Sequence, residues 1–425
     1  MRLRGTGIPE TNSPLGPYRV LDLTEGGYLI GGKILADLGA DVIKIEPPGG
    51  SPSRDIGPFY KDIANREKSL FWFAYNVNKR SITLDVGKED GREVFLSLVA
   101  NADIVLESFA PGYLEKLGLG YAVLSTVKPD IIVTSITPFG QTGPHASYSS
   151  CDLTAWASGG MMCLSGDPDR APVAPSVPQA TLHGGAEAAA ASVIALWHRN
   201  VSGKGHHVDI STQQCVIWTT LNATGKWDVN HFEPRRCSGA IILPRVNVRT
   251  IFPCKDGAVT LYIAGGAMAS LVDNMKRFVD WMDEEGMAPE WLRTLDWVHA
   301  YDMSSTSQEV IDRVEKPFAD FFLTKTKAEL YGEALKRRLL LAPVNDVRDT
   351  VDDVQLQARG FWIEVDHPEL DDSLVYCGPF IKFSETPWQV RLRPPLIGEH
   401  NDEIYRGELG FSKERISLLK QARVI

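Results

Sequence analysis

Residues 18–46, YRVLDLTEGGYLIGGKILADLGADVIKIE, constrain the fold of this chain more than any other stretch. Val20-Leu21-Asp22-Leu23 is a short apolar run suited to a buried strand, and Thr24 to Gly27 is a small-residue turn. From Tyr28, apolar side chains recur at helical spacing through Leu29, Ile30, Ile34, Leu35 and Leu38; Gly39 then stops the helix where a left-handed cap would sit. Asp41 to Glu46 supplies a second strand. A strand, a tight turn, a helix and a strand in so short a stretch make a βαβ unit, which crosses over right-handed and is buried on both faces. Such a unit sets helix N–H groups beside the turn after its first strand, where phosphates bind. Thr24-Glu25-Gly26-Gly27 is not a dinucleotide fingerprint, so the turn alone names no ligand.

Further strands are expected at 71–75, 81–86, 102–109, 130–136 and 208–210, with helices at 91–99, from 111 through 116, and 184–199. Alternation of this kind argues for a doubly wound α/β domain. The Ala-rich run GGAEAAAASVIALWHR has side chains small enough for close packing against another helix. Residues 227–249 read as an irregular linker. A hairpin at 250–263 and helices near 269–283, 307–324 and 327–338 read as a second unit, and a polar helix is expected near 412–421.

The 54 acidic and 44 basic residues give a formal charge of -10, which disfavours nucleic acid or an anionic membrane as the main partner. Any anionic ligand must be held by local positive groups. The six cysteines, at 151, 163, 215, 237, 254 and 377, form neither a C-x-x-C pair nor a regular framework, as suits a reducing cytoplasm and no metal site. No apolar stretch approaches about 18 residues and the Gly/Pro-rich start, 1–17, has no apolar core, so neither a membrane span nor secretion is expected.

Seven segments, LDLTEGGYLIGGKILADLGADVIKIEPPGG, NVNKRSITLDV, ADIVLESFAPGYLEKLGLGY, TPFGQTGP, SGKGHHVDIS, ARGFWIEVDHP and PPLIGEHNDEI, resemble in order the class III CoA-transferases, the formyl-CoA and carnitine CoA-transferase family. The resemblance implies a Rossmann-like large domain built from the N-terminal half plus the C-terminus, a smaller inserted α+β domain, and two chains interlocked as a dimer. On that pattern 1–225 is the first part of the large domain, 226–249 a linker, 250–340 the small domain, and 341–425 the return. Coenzyme A or acyl-CoA is the implied substrate. Its site would comprise Glu25, Gly26 and Gly27 in the first turn, Arg54 after the Pro/Gly loop, and Leu84, Ser108, Phe109 and Lys116. Arginine and lysine pair with phosphates, and Phe109 offers a face to the adenine. The same residues also read plainly as core (Leu84, Phe109) and solvated charge (Arg54, Lys116). Two departures stand out: the first turn is one residue shorter than the family's, and Ser108 replaces its asparagine.

The family's chemistry, as the resemblance implies, runs through one aspartate that attacks the acyl-CoA thioester and passes the acyl group on through covalent steps. Alignment from Cys151-Asp152 through Pro172-Val173 to Gly184-Gly185 puts Thr181 at that position, and the whole window 171–185 holds no acid. Cys151 stands where the family's racemases carry a histidine. His183, Asp169, Glu187, Asp152 and Cys151 are the nearby groups with suitable chemistry; each reads more simply as structural.

The sequence therefore predicts a non-catalytic subunit of a heteromeric class III CoA-transferase, with the aspartate supplied by a homologous partner chain in an interlocked heterodimer or heterotetramer. The expected transfer takes CoA from an acyl-CoA donor such as succinyl-CoA to a carboxylic acid such as (R)-benzylsuccinate. Two alternatives stay open: a self-sufficient homodimeric transferase using another carboxylate, and a CoA-binding or scaffolding homologue without activity. Main-chain N–H groups of Ala264-Gly265-Gly266-Ala267 could hold a carboxylate, or the segment is a turn after a strand.

Overall fold

The computed structural model describes residues 13–243 and 245–425, so residues 1–12 of the Gly/Pro-rich start lie outside the described residues. The chain divides into two compact units. The first contains the described residues up to Met162, Ala174–Gly225 and Gln355–Ile425; the second contains Cys163–Val173 and Lys226–Val354.

A six-stranded, wholly parallel sheet forms the first unit, from β1 (Arg19–Leu23), β2 (Asp41–Glu46), β3 (Lys79–Thr83), β4 (Ile104–Glu107), β5 (Ile132–Thr137) and β6 (His206–Ser211). Their order is β3-β2-β1-β4-β5-β6, the doubly wound arrangement. The opening unit folds as its pattern predicts, with α1 at Leu29–Asp37 and Gly39 in the left-handed region at φ 101°. Alternate residues of the strands serve two cores. Leu21, Ile43, Ile82 and Val105 pack with Phe95 and Leu98, whereas Val20, Val42, Ile104 and Ile132 pack with Leu35, Ala189 and Leu196. Phe95 and Leu98 belong to helix α3 (Glu89–Val99).

Helix Ala180–Ser202 packs on α1 through small residues. A Cβ on Gly31 would lie 2.8 Å from the Gly185 carbonyl oxygen, and one on Gly185 would lie 2.7 Å from Ile30. The Ala-rich sequence thus makes the close helix contact that its composition implies.

Two local readings are corrected. Residues 71–75, expected as a strand, belong to helix α2 (Leu70–Asn76): the Ser69 hydroxyl caps it by accepting from Trp72 N–H at 3.0 Å, and Phe71 meets Tyr75 one turn on, ring centroids 4.8 Å apart. A run with four aromatics in five residues hides its period, and here the cap decides. The stretch 227–249, expected as an irregular linker, holds the end of helix Leu221–Asn230 and a hairpin pairing Ala240–Ile242 with Asn247–Arg249.

The C-terminal segment closes the β3 edge. Ser81 N–H donates to His400 Nδ1 (3.1 Å), Thr83 N–H donates to Asn401 Oδ1 (2.9 Å), His400 N–H donates to the Ser81 carbonyl (2.9 Å), and Tyr405 hydroxyl donates to the Thr83 carbonyl (2.6 Å). The backbone groups that a bare edge strand would expose are thereby satisfied.

The second unit has a three-stranded antiparallel sheet (Ile251–Cys254, Gly257–Leu261, Leu341–Pro343). Helices Ala269–Glu284 and Gln308–Phe322 contribute Phe278, Trp281, Phe318, Phe321 and Phe322 to its aromatic core. Gly265 is fixed by close approach, since a Cβ there would lie 2.2 Å from the Trp297 carbonyl oxygen, and Gly266 N–H already donates to that carbonyl at 2.8 Å. No helix among the described residues is long and apolar enough to cross a membrane.

Candidate active site

In an open parallel sheet, ligands bind where the strand order reverses, outside the carboxyl ends of the strands. Here that point lies between β1 and β4, and the turns leaving these strands meet: Glu25 N–H donates to Ser108 Oγ at 3.0 Å. Gly26 N–H donates to Ser53 Oγ at 2.8 Å. The Glu25 carboxylate accepts from the hydroxyls of Ser51 and Ser53 and lies 3.7 Å from the Lys44 ammonium.

Beneath the turn sits a sealed ionic cluster. Asp22, Lys44 and Lys79 have no exposed surface. The Asp22 carboxylate accepts from Thr24 N–H (2.9 Å), Thr24 hydroxyl (2.6 Å) and Lys79 ammonium (2.9 Å). Lys79 also donates to the Leu29 carbonyl at 2.9 Å, and Lys44 donates to the Thr24 carbonyl. Desolvation opposes the Asp22 charge, but Lys79 and Lys44 prevail and hold its carboxyl below the ordinary value. Burial draws the Lys79 ammonium down to about 8 against the pull of Asp22. The cluster fixes both the carbonyl of the turn and the first residue of α1.

Of the residues proposed for CoA, the structure brings Glu25, Gly26, Gly27 and Ser108 together. Arg54 is elsewhere occupied and has no exposed surface. It pairs with Glu46 through two bonds (2.6 and 2.9 Å), with Glu67 at 2.6 Å and with the Pro395 carbonyl at 2.9 Å, and its guanidinium lies 3.7 Å from the Trp72 ring centroid. A solvated Arg54, the plain alternative from sequence, is overturned by this burial. Leu84 is core, Phe109 is half-buried against Tyr113 with ring centroids 4.7 Å apart, and Lys116 is exposed.

Thr181 stands in the first turn of helix Ala180–Ser202, directly against the β1 turn: a Cβ on Gly27 would lie 2.2 Å from its Oγ1. Only glycine fits there. Thr181 N–H and hydroxyl both donate to Asp152 Oδ1 at 2.8 Å, and Gln179 N–H donates to Oδ2 at 3.0 Å. Asp152 therefore serves as the acceptor that caps this helix, a task invisible in the sequence because 29 residues separate it from Thr181. Cys151 is exposed, and its thiol is held below the ordinary value by the Thr154 N–H. The His183 ring stacks beside Trp156 at 6.5 Å. Among the described residues no group of three or more His, Cys, Asp or Glu is placed to hold a metal.

Glu107, at the end of β4, was not anticipated. Burial pushes its carboxyl up to about 7, against hydrogen bonds from Ser135 and from Phe109 N–H (2.7 Å), and Glu115 and Asp209 add repulsion. A carboxyl whose folded value exceeds its unfolded value of 4.5 contributes fully below that value and loses its contribution as pH rises through about 7. Glu107→Gln is therefore expected to raise stability at pH 8 by on the order of 3 kcal/mol and to change little at pH 4.5, which calorimetric melting at the two pH values checks.

The family model for CoA-transferase family III matches residues 15–401. The chain is 36% identical over 392 residues to succinyl-CoA:(R)-benzylsuccinate CoA-transferase subunit BbsE of Thauera aromatica, covering 91% of this chain and 92% of that one. It is 30% identical over 419 residues to the succinyl-CoA–L-malate CoA-transferase beta subunit of Chloroflexus aurantiacus, covering 98% and 99%. Among solved structures, a CAIB/BAIF family protein from Brucella suis superposes with a TM-score of 0.78 at 30% identity, over 93% of this chain and 99% of that one.

Proposed function

We propose, from the premise that this chain belongs to CoA-transferase family III, that it is the non-catalytic subunit of a heteromeric CoA-transferase. A homologous partner supplies the nucleophilic aspartate, and CoA passes from succinyl-CoA to a carboxylic acid of the (R)-benzylsuccinate type. One observation carries the reading: at the residue facing Gly27 stands a neutral hydroxyl, and that hydroxyl is already spent on Asp152. Transfer of CoA between two carboxylic acids through an enzyme carboxylate requires a group that expels the CoA thiolate, holds the acyl group as an anhydride and regains its carboxylate when the acyl group leaves. A threonine ester would not release acyl groups in that way.

The subunit designations of two relatives support a heteromer, and the benzylsuccinate relative supports the acceptor class. What this chain supplies is the retained fold: a rigid first turn, a capped long helix and a closed sheet edge, against which a homologous chain can interlock as a heterodimer or heterotetramer.

The Asp152 carboxylate, 2.8 Å from Thr181 Oγ1, is the observation that favours the self-sufficient alternative. Its oxygens already accept three donors that tie down a helix start, and such bonds lower nucleophilicity. The test is to assay the purified chain, alone and co-expressed with a homologue bearing aspartate at the equivalent position, for CoA exchange between succinyl-CoA and (R)-benzylsuccinate, with the thioesters resolved by mass spectrometry. The chain alone is expected to match the blank and the pair to turn over. Turnover by the chain alone would overturn the reading.

A further inference from the structure

The β1 turn carries the equipment of an anion site: two main-chain N–H groups, two serine hydroxyls and a buried ammonium. In this chain all of it is directed inward. Glu25 N–H is taken by Ser108 Oγ at 3.0 Å and Gly26 N–H by Ser53 Oγ at 2.8 Å. The hydroxyls of Ser51 and Ser53 both donate to the Glu25 carboxylate, and the Lys44 ammonium lies 3.7 Å from it. The anion that these groups hold is a side chain of the turn itself.

The three cations packed beneath this turn are already paired. Lys79 is bound to Asp22, Arg54 to Glu46 and Glu67, and Lys44 stands between Asp22 at 4.0 Å and Glu25. Three cations face four carboxylates. Of these carboxylates, Asp22 and Glu46 have no side-chain exposure, while Glu25 keeps 35% and Glu67 34%; Glu25 is the partly exposed one that belongs to the turn itself. A phosphate brought there would meet a fixed like charge and donors already occupied, a juxtaposition that costs affinity steeply.

We infer that Glu25 is a resident anion that closes the phosphate position of this chain, so that the chain takes no CoA at its own switch point and a heteromer carries one CoA for every two chains. The stoichiometry rests on the partner reading given above. The closure rests on this chain's residues alone.

The experiment is calorimetric titration of CoA into the full-length chain by itself, into its Glu25→Gln variant, and into the complex. The wild-type chain is expected to bind more weakly than about 1 mM, and the complex to saturate at one CoA per two chains. Glu25→Gln, which keeps an acceptor oxygen for the serines and removes the charge, is expected to tighten binding to the isolated chain by about tenfold or more. Wild-type binding of one CoA per chain would overturn the inference, and so would a folded Glu25→Gln chain that gains nothing. If that variant does not fold, the wild-type stoichiometry decides. CoA bound by the isolated chain without turnover defeats the closure alone. A chain that binds no CoA and has no catalytic partner defeats the partner reading alone.

Discussion

Replacing Arg54 with methionine is expected to destabilise the chain by about 3–5 kcal/mol, the loss seen when one member of a buried ion pair is removed. The substitution leaves Glu46, which has no exposed surface, with Ser51 N–H (2.8 Å) and Ser81 hydroxyl (2.5 Å) as its remaining hydrogen-bond donors among the described residues. It also removes the guanidinium from Trp72 and takes away one of the two donors to the Pro395 carbonyl, leaving the Trp72 Nε1–H at 3.1 Å as its remaining tie to the C-terminal segment. Arg54→Lys is expected to recover part of the loss but not all, because an ammonium cannot reproduce the two-bond fork to Glu46. Urea unfolding of the purified chain measures both. An Arg54 that served only a CoA phosphate would leave the unfolding midpoint in place and weaken CoA binding instead.

Asp22→Ala is expected to have a similar effect, about 3–5 kcal/mol, by leaving the Lys79 and Lys44 ammonium groups buried without their shared carboxylate. Asp22→Asn keeps the shape and is expected to lose nearly as much, since charge is what is missing. The pH dependence adds a check. Lys79 releases its proton at about 8 in the folded chain and at 10.5 in the unfolded one, so the unfolded chain binds more protons in that window and stability rises with pH there. Without Asp22 the folded value falls further and the window widens downward. The deficit of Asp22→Ala should therefore be smaller at pH 9.5 than at pH 7, as read from urea midpoints at the two pH values. An equal deficit at both would remove Lys79 from the explanation.

The opening βαβ unit was legible because its apolar periods, its turn and its Gly39 cap agree with one another. The Ala-rich helix was legible for the same reason: small side chains at helical spacing announce close contact. Residues 71–75 were misread because a run of aromatics has no polar partner to set a period. The residues that build the site were harder to find. Asp22 and Lys44 sit inside VLDL and VIKIE, apolar strands of a doubly covered sheet, where a charge must be paired; that signal was available. Arg54 was placed at the right loop but given the wrong exposure, because its partners Glu46, Glu67 and Pro395 converge only in the fold. Asp152 and Glu107 gain their roles from neighbours on other elements, which no spacing rule reaches.

The covering of β3 by His400, Asn401 and Tyr405 has a consequence for the order of events during synthesis. The strand itself emerges early, but the residues that satisfy its outer edge follow only after the whole second unit has been made. Throughout that interval the nascent sheet offers an open template, and arrest of translation before residue 400 would release a chain ready to pair with its own kind. Failure to complete the chain would then be seen as deposited protein.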